Sequence, residues 1–194
     1  MDVEQQFKRD TANHAMEIVK DDGVHRHIRF SKPGTGVDSF TLTTWPGHIC
    51  FSGDRGTYVF SRVADMFEFF RADRINPGYW SEKCVASDRD GIREYYHYAF
   101  RRAVLTDLRG FRQSSDLPSQ KLAEIRHHVS TDVLSMAEED RYSAVTAAMD
   151  FEMYGFGMQD FYEHDVTKFT FQFLWCCHAL VFGVEKYWAV VADA

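Results

Sequence analysis

Proline is scarce in this chain, with four among 194 residues, and no segment is low in complexity. That composition leaves little material for an extended disordered linker. No run reaches the roughly 20 apolar residues of a membrane-spanning helix; the most apolar stretch, Phe169 to Phe182, is interrupted by Gln172 and His178. The opening Met1-Asp2-Val3-Glu4 has neither the basic nor the apolar region of a secretory signal. These absences set the expectation of a cytoplasmic protein with no membrane segment. The four cysteines, Cys50, Cys84, Cys176 and Cys177, are not spaced as a disulfide scaffold and read as reduced. His25-x-His27, His127-His128 and Cys176-Cys177-His178 each lack the matching second pair that zinc ligation needs, so no metal and no cofactor are expected.

Motifs for chemistry are equally sparse. Gly53-Asp54-Arg55-Gly56 lacks the phosphate-loop pattern and precedes a strand, so it reads as a turn. Asp88 with Asp90 is a carboxylate pair without supporting partners, and Cys84, near Trp80 and Glu82, has no marked base. Arg101, Arg102, Arg109 and Arg112 form a partial basic stripe, offset by Glu94 and Asp107 in a chain of net charge −7. Direct nucleic-acid binding is therefore not expected, since it draws on concentrated positive charge. No catalytic residue is assigned; an enzyme acting on nucleic acid or nucleotide, using His25, His27 or Cys84, is the alternative.

What the chain does have is aromatic material: 17 Phe, 9 Tyr and 4 Trp. Each large ring buries roughly 150–250 Å², enough for a substantial core. Periodicity predicts a helix over 2–20 and a strand over 24–30 in which Arg26 breaks the apolar pattern. A meander follows: Phe40 to Trp45, a Pro46-Gly47 turn, His48 to Ser52, a Gly53–Gly56 turn, and Thr57 to Phe60. Ser61 is read as the cap of a helix over 62–71 with an apolar stripe of Val63, Met66, Phe67 and Phe70. A short helix is expected near 79–86, then helices over about 89–108, ended by Gly110, and over 139–153. A long final helix is read from Phe169 to Val191, although Phe169, Phe171, Phe173 and Trp175 also alternate as a strand would. The expected architecture is α+β: one domain over 1–194, with a small antiparallel sheet of three to four strands in the N-terminal half packed against a mainly helical C-terminal half.

The charge is unevenly placed. Residues 1–137 hold 19 acidic and 19 basic groups, and residues 166–194 hold two of each. The excess lies in 138–165, where Glu138, Glu139, Asp140, Asp150, Glu152, Asp160, Glu163 and Asp165 face Arg141 alone. A charge run can simply be a solvated face. It can also steer and select a cationic partner. Tyr154, Phe156, Phe161 and Tyr162 lie among these acids, and rings within a polar surround are the make-up of an interface centre. The expected contact set is Glu138, Glu139, Asp140, Asp150, Glu152, Tyr154, Phe156, Asp160, Tyr162 and Glu163, meeting a basic protein surface. The loop bearing Asn76, Tyr79 and Trp80 is a second contact candidate, with packing under the sheet edge as the competing role for its rings.

One stretch resembles known proteins. Thr43-Thr44-Trp45-Pro46-Gly47-His48-Ile49, Gly53-Asp54-Arg55-Gly56-Thr57-Tyr58-Val59-Phe60-Ser61-Arg62, Asp65 to Arg71 and Ile75 to Lys83 are similar to a group of small phage and prophage proteins. The resemblance covers about residues 38–84. It implies a bacteriophage accessory protein made in the bacterial cytoplasm, of a kind that often blocks host defence, CRISPR systems included, by binding. It carries no catalytic residue. A third possibility, a phage assembly component, stays open. CRISPR effectors hold nucleic acid in positively charged channels, which an acidic, ring-bearing surface would fit.

Overall fold

The alternating segments form a longer meander than three or four strands. A computed structural model of the protein describes residues 2–192. In chain order, α1 (Val3–Asp10) leads into β1 (Ala15–Asp22), β2 (His25–Ser31), β3 (Phe40–Trp45), β4 (His48–Gly53) and β5 (Gly56–Ser61). Helices α2 (Met66–Phe69) and α3 (Pro77–Ser81) precede β6 (Cys84–Ser87) and β7 (Arg93–Tyr95). Then come α4 (His97–Ser114), α5 (Ser119–His128), α6 (Arg141–Met149), β8 (Glu152–Met153), β9 (Phe156–Gly157), β10 (Thr167–Phe169) and α7 (Phe171–Ala192). The first six strands make one antiparallel sheet in sequential order. The fold is α+β, as its sequence indicates, with six strands in the main sheet where three or four were expected.

The two additional strands correct two helix expectations. The predicted helix over 2–20 stops at Asp10, with Lys8 and Arg9 in its last turn. Residues 15–22 instead pair with β2 through a tight turn at Gly23, whose φ is +60°. The two loop residues are Gly23 and Val24, and glycine at the first of them is a hairpin signal. Likewise the helix near 79–86 is α3, started by Asn76, whose side chain accepts from the Tyr79 N–H, and followed by β6 on the β5 edge. The helix expected over 62–71 shrinks to α2 because Asp65, not Ser61, supplies the cap, and Val63 is left exposed.

The described chain divides into two compact units, one taking the chain up to Arg93 and again from Phe169, the other Glu94–Lys168. In the first unit the inner sheet face carries Ile28, Phe30, Phe40, Leu42, Ile49, Phe51, Tyr58 and Phe60, all buried. Helix α7 covers it: Trp175 meets Phe40 edge-on at 5.7 Å and Phe173 meets Tyr58 at 5.6 Å. Full burial of each such side chain contributes roughly 1.5–3 kcal/mol. The helical reading of the final apolar segment holds from Phe171, with a three-residue strand before it. At 22 residues α7 is long and apolar enough to cross a membrane, yet Phe173, Trp175, Cys176, Cys177 and Leu180 on it are buried in this core.

Arg26 interrupts the β2 pattern for a reason. It sits on the inner face, buried, with its guanidinium donating twice to Asp65 at 2.8 and 2.9 Å and once to the Tyr187 hydroxyl at 3.2 Å. The outer face presents His27, Thr43 and Cys50 in adjacent register.

The second unit is helical. The chain enters it along β7, which pairs with β10, so residues 93–95 are extended where a helix start was expected. Helix α4 then runs through Gly110, an exposed position with open space beside it, to Ser114. Below α5 the helix widens to one π turn over Val129–Val133 and tightens to a 3₁₀ turn over Leu134–Glu138. Phe100, Val104, Ile125, Val129, Val133, Phe156 and Phe161 form its core. Helix α6 ends at Met149, short of the predicted 153. Strands β8 and β9 follow as a minimal hairpin whose central residues Tyr154 and Gly155 both have positive φ, 51° and 79°. That is the geometry a two-residue hairpin with native twist demands.

Candidate functional site: an acidic cleft in the helical unit

Three elements of the second unit place carboxylates around one depression. Asp107 projects from α4 and Glu152 from β8, while Asp160 precedes and Glu163 ends the 3₁₀ turn Phe161–Glu163. With His164 and the backbone of Gly155 and Gly157 they line an open cleft of about 700 Å³. Neither Lys nor Arg is among the residues lining it. His164 Nε2 lies 3.0 Å from Asp107 Oδ2, so the one titratable base in the cleft is tied to its wall. Phe161, buried beneath, anchors the turn by packing edge-on against Phe100 at 5.2 Å. A second, shallower groove of about 330 Å³ adjoins through Glu152 and adds Asp150, His128 and Asp132. His128 Nδ1 is 3.0 Å from Asp132 Oδ2, and hydrogen bonds from Thr131 and His128 hold the Asp132 carboxyl below its ordinary range.

The acidic contact set read from sequence is thus divided. Glu152, Asp160 and Glu163 share the cleft, and Asp150 lies next to it. Glu138, Glu139 and Asp140 are at the opposite end of α6, about 13 Å away by helical rise over nine residues. There Asp140 caps the helix by accepting from Ser143 N at 3.0 Å and Oγ at 2.7 Å, which lowers its pKa. Glu138 pairs with Arg101 at 3.5 Å. Tyr162 is exposed beside the cleft, at 58%. Tyr154 is exposed too, but its hydroxyl donates to Glu124 at 2.7 Å and Lys121 sits over its ring at 4.9 Å. Phe156 is buried at 2% against Phe111, a core side chain and not a surface ring. Asp107 and His164 were absent from the sequence set. They lie 57 residues apart, and only the packing of α4 against the 3₁₀ turn brings them together.

The second contact candidate resolves toward packing. Asn76 is a cap, Trp80 is buried at 3% against Phe70, and Tyr79, half exposed, tilts onto Phe69 beneath Lys83. The residues weighed for catalysis stand apart from the cleft's chemistry. His25 and His27 share the outer sheet face, with His27 Nδ1 2.9 Å from Thr43 Oγ1. Burial pushes the Cys84 thiol up, and its Sγ donates to the Ala86 carbonyl at 3.2 Å, which disfavours a nucleophilic thiolate. Among the described residues no three His, Cys, Asp or Glu side chains converge as a metal-ligand group. Comparison of the chain with protein-family profiles, with curated proteins and with solved structures finds no match.

Proposed function

We propose that this chain is a non-catalytic binding protein whose acidic cleft receives a lysine- or arginine-bearing segment of a partner protein. The observation that carries the reading is the convergence of Asp107, Glu152, Asp160 and Glu163 on a single cleft lined by no Lys or Arg. Low-dielectric walls focus such a field and raise the rate at which a cationic partner is captured. Exposed Tyr162 at the rim supplies a ring of the type enriched in interface centres. The resemblance of residues 38–84 to phage proteins gives the setting: the bacterial cytoplasm, with a nucleic-acid-binding component of host defence, such as a CRISPR effector, as partner. Occupation of a cationic channel would exclude nucleic acid by competition.

The test is inhibition of nucleic-acid binding by a panel of such effectors, with two charge-reversed variants. Glu152→Lys/Asp160→Lys/Glu163→Lys should lose inhibition, while Glu138→Lys/Glu139→Lys, at the far end of α6, should keep it. Equal behaviour of the two variants removes the cleft from the reading. Inhibition by the wild type at stoichiometric amounts, with no altered product, distinguishes binding from catalysis. The His164–Asp107 pair favours a second reading, a general base in a small hydrolase. That reading requires turnover that His164→Gln abolishes, and the acidic lining argues against a polyanionic substrate.

A further inference from the structure

On the other flank of α4 the chemistry is reversed. Leu105, Leu108, Arg109 and Arg112 of α4 and Leu122, Ala123 and Arg126 of α5 line a groove of about 360 Å³ with no carboxylate among the described residues of its wall. Leu105 is 46% exposed. At 100° per residue, Asp107 stands about 150° round the helix from the centre of the Leu105–Arg112 stripe, with the core stripe of Phe100, Val104 and Phe111 between. Three other bases of this unit have partners, Arg101 with Glu138, Lys168 with Glu94 and Lys121 over Tyr154. Among the described residues Arg109, Arg112 and Arg126 make no ion pair within 4.0 Å. An apolar floor beneath three unneutralised guanidinium groups is matched to an acidic segment that carries a ring.

We infer that the occupant of this groove is a second copy of the chain, docked through its own cleft rim. That rim offers Asp160 and Glu163 on either side of exposed Tyr162, opposite in charge to the arginines and apolar where the leucines are. Because groove and rim are different surfaces, the contact is head-to-tail and leaves one of each free on the pair. The charged character of the contact makes it salt-sensitive. The inference shares the cleft with the binding function proposed above and adds a consequence: self-association and partner capture compete for the same carboxylates.

Sedimentation equilibrium of the intact chain at low salt should show average mass rising over a hundredfold range of concentration, and collapsing to monomer when ionic strength is raised tenfold. Arg109→Glu/Arg112→Glu and Asp160→Arg/Glu163→Arg should each be monomeric alone. Mixed together they should associate one to one, since each then offers the surface complementary to the other. A wild type that stays monomeric throughout overturns the inference, as does a mixture of folded variants that fails to associate. Neither result touches the cleft reading, whose readout is inhibition of a basic partner at concentrations where the chain is monomeric.

Discussion

At the scale of single residues, burial explains where charge is tolerated and where even a methyl group is not. The Arg26 guanidinium is held by Asp65, by Tyr187 and by the faces of Phe67 and Tyr187 at 4.8 and 5.1 Å. Removing one partner of such a pair strands the other's charge, at a cost of about 3–5 kcal/mol. Asp65→Ala should therefore lower the unfolding free energy obtained from urea denaturation by about that amount, with additional loss from the uncapped α2. Gly183 is a second critical position. A Cβ there would stand 2.5 Å from Leu42 Cδ1 and 3.2 Å from the Phe30 ring, so this glycine allows α7 to approach the sheet. Gly183→Val should destabilise by about 1–3 kcal/mol through overpacking, measured the same way. Neither role is visible in sequence. Arg26 looked like a broken pattern and Gly183 carries no local signal of its own, because the partners of each lie far along the chain.

At the scale of elements, the α1–α7 contact carries a titratable group. His178 on α7 stacks on Phe7 of α1 at 5.8 Å, and burial depresses its pKa below the usual 6.5. The unfolded chain then takes up the proton first. Stability from this site is fully present above pH 6.5 and falls as pH drops from that value through the lower folded pKa. The melting temperature should decline across that window. His178→Phe, which keeps a ring and removes the titration, should flatten that part of the profile. If the variant's profile parallels the wild type's, the contact is not the source. The strands of the meander were legible because alternation and the Pro46-Gly47 and Gly53–Gly56 turns are local signals. Strands β1 and β6 were not, since edge strands with one neighbour carry little apolar alternation: β1 is exposed almost throughout.

For the whole molecule, two separate cores underlie the two compact units, one around the sheet and one around α4 to α6. Phe100 is fully buried in the second core, touching Phe161 beneath the cleft. Phe100→Ala should cost about 3–5 kcal/mol and raise amide exchange first within residues 94–168. It should also weaken the binding proposed for the cleft through the displaced Phe161 turn, without any charge having changed. Exchange that instead rises evenly along the chain would show that the two cores melt as one cooperative unit.

Sequence by itself determined the fold class, the central meander, the aromatic core and the stretch in which negative charge exceeds positive. Each of these is written in local periodicity or composition, which the chain carries whatever it later packs against. The tertiary structure alone decided which carboxylates share a cleft. A nine-residue helix carried Glu138 to Asp140 away from Glu152, while Asp107 and His164 arrived from distant positions. Proximity in space is set by how helices pack, and linear charge density contains no record of it.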